Sequence, residues 1–274
     1  MTEPSLSREN FLLDIPLDGA GLRLAARRLR PPGAAGAAPS LVFLHEALGS
    51  IGQWKGFPED LAAASRRPAL VYERQGHGRS SPLPLPRDSE YLRREAEVVL
   101  PAVLSASGVE RPVLIGHSDG ATIALLYAAA FPERTAGCVA LAPHVMIEDM
   151  TLDGIRAADQ EPGAAEIRRR LARYHGNQTE TLWRAWTETW LRPGFAGCEM
   201  RRDLARITAP CLVIQGADDA YGSERQVGLI MERVSGPADS LLLPACGHQP
   251  HLEQRTAVLA AVTAFLAGPG MPGA

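Results

Sequence analysis

The chain alternates short, continuous apolar runs with stretches of helical pattern. Each run is bounded by Gly, Pro or polar residues and lacks the apolar–polar alternation of a half-exposed strand, so each is typical of a strand covered on both faces. Strands that alternate with helices fold into a parallel sheet with right-handed crossovers, which predicts the α/β class. The runs are LVFLH (41–45), ALVYE (69–73), PVLIGH (112–117), GCVALAP (137–143), PCLVIQG (210–216) and SLLLP (240–244).

The intervals between these runs have the spacing of helices, whereas the first 30 residues differ. There, FLLDIP and GLRLAARRL flank an Asp-Gly-Ala-Gly turn, which predicts an antiparallel hairpin leading into the sheet. The segment PPGAAGAAP at 31–39 has turn chemistry and is too short for a domain linker. The predicted helices are 57–65, 89–107, 121–130, 223–234 and 252–267.

One long interval, from Val145 to Ile207, contains no convincing strand. It is charged and amphipathic, and it holds three of the four tryptophans. A helical pattern of this length between two core strands predicts an inserted helical cap, or lid. We therefore expect residues 1–144 and 208–274 to form one core, and residues 145–207 to form the cap, which is too small for an independent domain.

Composition excludes several classes of protein. With 46% hydrophobic residues the chain is not disordered, and 28 basic against 31 acidic residues give no electrostatic basis for binding nucleic acid or an anionic membrane. No segment reaches the roughly 18 apolar residues needed to span a bilayer. The four cysteines form no CxxC pair, so we expect neither a zinc knuckle nor a disulfide framework. We also expect no metal and no cofactor.

The N-terminal stretch has acidic residues where a signal peptide is basic, and it lacks a long apolar segment. We therefore expect a cytoplasmic protein. Because nearly all basic residues are arginine, we expect a GC-rich bacterial genome as its source. The predicted partner is a small-molecule substrate, and the predicted state is a monomer or a homodimer.

The pentapeptide Gly116-His117-Ser118-Asp119-Gly120 stands directly between the apolar run PVLI and the helical run ATIALLYAAAF. A G-x-S-x-G sequence at a strand-to-helix turn is typical of a nucleophile elbow, in which the serine is strained and only glycines fit at its flanks. The serine then lies at a helix N-terminus, where the helix dipole favours the negative charge that develops in acyl transfer. Ser118 is therefore the candidate nucleophile.

A serine nucleophile needs a histidine base, and that histidine needs a carboxylate to fix its tautomer. The run PCLVIQG is followed by Asp218 and Asp219, and the run SLLLP is followed by His248. These residues come at the carboxyl ends of predicted parallel strands, the edge of the sheet at which sites form. From this placement alone, either aspartate fits.

Together these motifs resemble the α/β-hydrolases, in particular capped members with a serine nucleophile. The resemblance extends over nearly the whole chain and implies that Ser118 is the nucleophile and His248 the general base. In that family the acid usually stands three residues after the glycine that closes its strand, which favours Asp219 over Asp218. The matching segments, in order, are LVFLHEALGS, ERQGHGRS, GHSDG, VIQGADD and CGHQPHLE.

The resemblance also implies an oxyanion hole formed by the backbone N–H groups of Asp119 and Ala47. Where the family usually has His-Gly-x in the second loop, this chain has His45-Glu46-Ala47. A carboxylate beside a forming oxyanion opposes catalysis unless it points away or pairs with a cation. We expect a structural role for Glu46, with substrate contact or proton transfer as the alternatives.

Several other side chains are candidates for the wall of a substrate pocket. The side chain of Asp119 either faces the pocket or caps the following helix. Tryptophans 183, 186 and 190 share one helix face, which either docks the cap on the core or forms an aromatic roof over the substrate. A metal site at His248 and His251 is not expected, because Gly-His-x-Pro-His resembles the base loop of the family. The candidate substrate-binding residues are Glu46, His144, Trp183, Trp186 and Tyr221.

These features predict a serine hydrolase that cleaves a small to medium carboxylic ester or lactone through an acyl-enzyme. Hydrolysis of a C–C bond in a vinylogous diketone is the alternative reaction, because related proteins support it with the same cap and triad. The alternative from another class is a small-molecule receptor that keeps the triad but hydrolyses little. Dehalogenases and epoxide hydrolases with an aspartate nucleophile share the architecture, but the elbow residue here is Ser118.

Overall fold

The computed structural model describes residues 5–17, 21–34, 40–160 and 162–271. Its centre is a sheet of eight strands. The strands are β1 (Ser7–Ile15), β2 (Leu22–Arg30), β3 (Leu41–Leu44), β4 (Ala69–Tyr72), β5 (Val113–His117), β6 (Gly137–Leu141), β7 (Cys211–Gly216) and β8 (Ala238–Leu243).

The strand order across the sheet is β1-β2-β4-β3-β5-β6-β7-β8. The pairs β1–β2 and β2–β4 are antiparallel, and all the other pairs are parallel. The predicted α/β class and mostly parallel sheet are therefore confirmed. The predicted hairpin corresponds to β1 and β2, but residues 18–20 of its turn lie outside the described residues, as do residues 35–39 of the predicted loop.

Helices cover both faces of the sheet. A π-helical turn, Glu95–Val99, joins α2 to α3 within the stretch predicted as one helix, and short 3₁₀ turns lie at Ile51–Trp54, Pro132–Arg134, Gly176–Gln178 and Leu204–Arg206. The α-helices are α1 (Phe57–Ser65), α2 (Tyr91–Arg94), α3 (Leu100–Ser107), α4 (Asp119–Ala130), α5 (Asp149–Ala158), α6 (Gly163–His175), α7 (Thr179–Trp190), α8 (Glu224–Arg233), α9 (Pro250–Glu253) and α10 (Arg255–Leu266).

Strand β3 shows why the apolar runs are continuous. Leu41 and Phe43 pack into one hydrophobic cluster with residues of α1 and α10. Val42 and Leu44 pack into a second cluster, on the other face, with residues of α3 and α4. Because both faces are covered, every side chain of the strand is buried and there is no polar face.

The segment 145–207, which we call the cap segment, lies in the chain between β6 and β7. Its described residues contain helices α5, α6 and α7 and no strand. Its action as a lid stays a prediction. In the described part of the chain, no helix is long and apolar enough to cross a membrane.

Candidate active site

The nucleophile elbow is fixed by close backbone contacts. Ser118, between β5 and α4, has φ 53° and ψ −118°, a strained conformation for a residue with a side chain. A Cβ on Gly116 would lie 2.1 Å from the carbonyl oxygen of Gly120, and a Cβ on Gly120 would lie 1.9 Å from that of Leu44. Both positions therefore require glycine, as the sequence motif predicts.

Three of the predicted residues form one hydrogen-bonded series. Nε2 of His248 lies 3.0 Å from Oγ of Ser118. Nδ1 of His248 lies 2.9 Å and 2.8 Å from the two carboxylate oxygens of Asp219. Asp218, the alternative acid, is exposed, and in the described structure it is Asp219 that contacts the imidazole. The arrangement is that of a nucleophile, a base and an orienting carboxylate.

The carboxylate of Asp219 is held in its charged form. Its two oxygens also accept hydrogen bonds from the N–H of Tyr221 (2.8 Å) and from Nε2 of Gln215 (2.6 Å). Burial tends to raise the pKa of Asp219, but the contacts with His248 and the Tyr221 N–H outweigh burial and lower it. An ionised Asp219 can therefore hold the proton of His248 on Nδ1, which leaves Nε2 free to accept the proton of Ser118.

The two predicted oxyanion donors, Ala47 and Asp119, line the same cavity as Ser118. Within the described residues, no acceptor is assigned to either backbone N–H. The carbonyl of Glu46, in the peptide unit that carries the Ala47 N–H, accepts from Nη2 of Arg74 (3.0 Å) and from Nδ1 of His45 (2.8 Å). Because the peptide unit is planar, fixing this carbonyl also fixes the direction of the Ala47 N–H.

Two further histidines hold the next carbonyls of the loop at 45–48. Nε2 of His77 lies 2.9 Å from the carbonyl oxygen of Ala47. Nε2 of His175, at the end of α6, lies 2.9 Å from that of Leu48, and its Nδ1 accepts the N–H of Gly78 at 2.9 Å. Burial lowers the pKa of both imidazoles, which favours their neutral forms.

The side chain of Asp119 is turned into the core. Its Oδ2 accepts the hydroxyl of Tyr91 at 2.7 Å and lies 3.5 Å from Nη2 of Arg74, and the Tyr91 hydroxyl in turn accepts the indole N–H of Trp190 at 3.0 Å. The carboxylate is 1% exposed and makes no described capping bond to α4, so the structure gives no support to the helix-cap alternative, whereas Asp119 does line the cavity over Ser118.

A cavity of about 290 Å³ opens over Ser118. Aliphatic side chains of the cap segment, including Ile155, Ile167 and Leu171, line it together with Trp190. The tryptophans of α7 are buried and also face the cavity, so the helix face both packs and forms part of the wall. All five candidate substrate-binding residues line this cavity: Glu46, His144, Trp183, Trp186 and Tyr221.

His144 and Tyr221 lie beside the imidazole of His248. The ring centroids of His144 and Tyr221 are 5.7 Å and 4.9 Å from that of His248. Nε2 of His144 contacts the carbonyl oxygen of Tyr221 at 3.0 Å, and burial lowers the pKa of His144. These two residues therefore pack against the base and against each other as well as lining the cavity.

His251, which stands three residues after His248, is buried among aromatic rings. Its ring packs 4.8 Å from Trp54 and 4.7 Å from His117, measured between centroids, and burial lowers its pKa to about 3. Throughout the described ranges, no three His, Cys, Asp or Glu side chains are grouped as metal ligands.

The family model of the α/β hydrolases matches residues 41–262, so the chain belongs to the α/β hydrolase family, as the resemblance predicts. Two curated relatives match part of the chain. It is 31% identical over 103 residues to the (lyso)-N-acylphosphatidylethanolamine lipase of Mus musculus, and 32% identical over 125 residues to epoxide hydrolase B of Mycobacterium tuberculosis. The matches cover 38% and 46% of this chain but 30% and 34% of the relatives, about a third of their length.

The fold is also that of solved hydrolases. A bacterial membrane phospholipase A superimposes with a TM-score of 0.74 at 22% identity, over 96% of this chain and 86% of that one. At this identity the similarity shows a shared fold.

Proposed function

We propose that the protein is a serine hydrolase that cleaves small to medium carboxylic esters or lactones through an acyl-enzyme. The observation that carries the proposal is the hydrogen-bonded series of Ser118, His248 and Asp219 beneath a cavity. The apolar wall contributed by the cap segment supports a largely apolar acyl group. A cytoplasmic location and a monomeric or homodimeric state stay predictions from the sequence.

The reaction has two half-reactions. Oγ of Ser118 attacks the ester carbonyl while His248 takes its proton, and the oxyanion binds to the N–H groups of Ala47 and Asp119. The acyl–oxygen bond of the ester breaks, and His248 gives its proton to the leaving alcohol. Water, deprotonated by His248, then attacks the acyl-serine. The bond between the acyl carbon and Oγ of Ser118 breaks, His248 returns the proton to Oγ, and the carboxylic acid leaves.

The test is the hydrolysis of p-nitrophenyl acyl esters by matched variants. Ser118→Ala is expected to lower kcat by at least about 10⁴-fold while the protein stays folded. Asp219→Asn is expected to lower it by about 10³- to 10⁴-fold, because the imidazole is no longer held in the required tautomer. Asp218→Asn changes the same residue type one position away and is expected to keep wild-type activity. Substantial turnover by Ser118→Ala would overturn the proposal.

A fluorophosphonate probe separates an enzyme from a receptor that merely keeps the triad. The proposal requires labelling of the wild-type protein and no labelling of Ser118→Ala, since the probe reacts with an activated serine. An unlabelled wild-type protein would favour the receptor. Cleavage of a dienoate but of no ester would favour C–C bond hydrolysis.

A further inference from the structure

Glu46 lies where two cavities meet. The first is the cavity over Ser118, and the second, of about 340 Å³, adjoins it between the loop that begins at His45 and the loop that follows His248. Glu46 therefore stands between the cavity over Ser118, which the predicted oxyanion donors also line, and a second space. Five residues line both cavities: Glu46, Gln53, Arg170, Tyr174 and Gln249.

The two cavities differ in the side chains that surround them. Aliphatic and tryptophan side chains of the cap segment surround much of the first cavity. In the second, Leu252 supplies the one aliphatic chain longer than alanine among the described lining residues, and most of the others carry polar groups, such as Ser50, Gln53 and Gln249. Lys55 also lines this cavity, and its ammonium group donates to the hydroxyl of Tyr174. The first cavity therefore suits an apolar acyl group. The second offers more hydrogen-bonding groups beside apolar surface, so it can hold a group that carries a polar atom.

The position of His248 decides which half of the ester enters the second cavity. His248 must give its proton to the leaving oxygen, so the alcohol lies on the His248 side of the acyl carbon. Gln249, the next residue, lines both cavities. An alcohol that leaves on the His248 side can therefore extend along Gln249 toward the second cavity, which Glu46 also lines.

No salt bridge balances the charge of Glu46 within the described residues, and the more distant charge of Arg74 offsets only part of the effect of burial on its pKa. Its Oε2 accepts the N–H of Leu48 at 2.6 Å, and no salt bridge joins Glu46 to a cationic side chain in the described part of the chain. Arg74 binds the backbone carbonyl of Glu46 and the carboxylate of Asp119 instead. Nε of Arg170, which also lines the cavities, is paired with Glu166 at 2.8 Å.

An unpaired carboxylate beside an oxyanion hole slows the reaction of a neutral ester, because it repels the negative charge of the transition state. Burial also disfavours the charged carboxylate, and it raises the pKa of Glu46. A cation on the substrate removes both penalties, since it pairs with the carboxylate and offsets the repulsion. The site is thus better suited to an ester that brings its own positive charge.

We propose that Glu46 selects esters whose leaving alcohol carries a protonated amine, which the second cavity holds. The amine N–H donates to Oε1 of Glu46 while the acyl group occupies the cavity under the cap tryptophans. This selectivity rests on the ester-hydrolase function proposed above. The amine keeps its proton throughout, and the bonds that form and break are those of ester hydrolysis.

The test uses two esters of the same shape that differ by one charge. In 2-(dimethylamino)ethyl butyrate the amine is protonated at pH 7, and in 3-methylbutyl butyrate a CH group replaces the nitrogen. We expect wild type to prefer the amino ester by tenfold or more in kcat/KM. In Glu46→Gln, which keeps an acceptor for the Leu48 N–H, we expect the preference to fall at least tenfold and hydrolysis of the neutral ester to rise.

Asp218→Asn is the matched control, because it removes one negative charge near the triad from a residue that lines neither cavity. Its preference is expected to equal that of wild type. The wild-type preference should also decline as the pH rises and the amine loses its proton. The proposal would be overturned if wild type and Glu46→Gln preferred the amino ester equally, or if wild type preferred the neutral ester.

A measurement on the wild-type protein alone keeps the proposal testable if Glu46→Gln does not fold. We expect 2-(dimethylamino)ethanol to inhibit at concentrations at least tenfold lower than 3-methylbutanol does, and equal inhibition would count against the selectivity. Failure of the selectivity is distinct from failure of the hydrolase. In the first case p-nitrophenyl esters are still cleaved through Ser118, and in the second they are not.

Discussion

At the nucleophile elbow the backbone is fixed by its own glycines, whereas the loop at 45–48 is fixed by side chains from distant parts of the chain. Gly116 and Gly120 allow backbone contacts that no other residue permits. In the loop, the carbonyl of each of residues 46, 47 and 48 contacts a side chain that lies far away in sequence: Arg74, His77 and His175, respectively. One half of the predicted oxyanion hole is thus marked by a local pentapeptide. The other combines local bonds, such as that from the Gly49 N–H to the Glu46 carbonyl (3.0 Å), with contacts to side chains far away in sequence.

This difference links the cap segment to the catalytic geometry. His175 ends α6 of the cap segment, yet it bonds to the carbonyl of Leu48 and to the N–H of Gly78 in the core. Trp190, the last residue of α7, donates to Tyr91, which donates to Asp119. The cap segment therefore contacts both halves of the predicted oxyanion hole, and we expect changes in it to affect kcat as well as substrate binding.

The largest loss of folded protein is expected from a substitution at the elbow, where there is no room for a side chain at position 120. A Cβ at position 120 would meet the Leu44 carbonyl at 1.9 Å, and this backbone oxygen, at the buried end of an inner strand, cannot move away. Gly120→Ala should therefore yield little folded protein, as judged by circular dichroism and soluble yield. Gly228→Ala in α8 is the control, since nothing lies within 4 Å of the place that its Cβ would take, and it should stabilise the protein by about 0.5–1 kcal/mol. A well-folded, active Gly120→Ala would show that the elbow is not sterically fixed.

The guanidinium of Arg74 contacts both halves of the predicted oxyanion hole, through Asp119 and the Glu46 carbonyl. Arg74→Met deprives Asp119 and the Glu46 carbonyl of a buried donor, so we expect a loss of about 3–5 kcal/mol in the free energy of unfolding. With the Ala47 N–H less well directed, kcat should fall about 100-fold with little change in KM. Urea unfolding and steady-state kinetics measure the two effects. An unchanged kcat would mean that the Ala47 N–H does not depend on Arg74.

The same difference explains what the sequence predicts and what it does not. The continuous apolar runs predict the strands, and the elbow pentapeptide predicts the turn at Ser118, because both are visible as local sequence patterns. The link from Trp190 through Tyr91 to Asp119 joins residues that are 99 and 28 positions apart. Nothing local marks such contacts, and a tryptophan stripe indicates only which helix face is buried. Arg74 lies in a predicted motif, but its partners are set by the packing of the whole core.

Tyr91 links Trp190 of the cap segment to Asp119 of the elbow, and removing its hydroxyl should lower stability and kcat by less than the Arg74 substitution does. Tyr91→Phe removes the donor to Asp119 and the acceptor of the Trp190 N–H, so we expect a loss of about 1–2 kcal/mol in unfolding free energy and a few-fold decrease in kcat. Tyr127→Phe is the control, because that buried hydroxyl has no hydrogen-bond partner in the described structure, and its removal should cost nothing. Equal effects of the two substitutions would argue against a role for the link.

The contacts of His175 with the loop at 45–48 and with Gly78 should make the free energy of unfolding depend on pH. Its Nδ1 accepts the Gly78 N–H and its Nε2 donates to Leu48, so the folded state binds the neutral imidazole. Burial lowers the pKa of His175 below the value of about 6.5 expected in the unfolded chain. Below that pH the unfolded state therefore binds the proton first, and stability falls as the pH falls, by at most about 1.4 kcal/mol per pH unit for this group.

Other buried histidines contribute to the same acid loss, so the informative quantity is a difference between proteins. The free energy of unfolding, measured between pH 7.5 and 5, should decrease less steeply for His175→Gln than for wild type, because glutamine takes up no proton. The variant should be less stable at pH 7.5, where the neutral histidine makes both of its contacts, and the two curves should converge toward acid pH. Parallel curves would show that His175 is protonated as readily in the folded protein as in the unfolded chain. In that case the Gly78 N–H would not hold His175 in its neutral form, and this contact between the cap segment and the core would be absent.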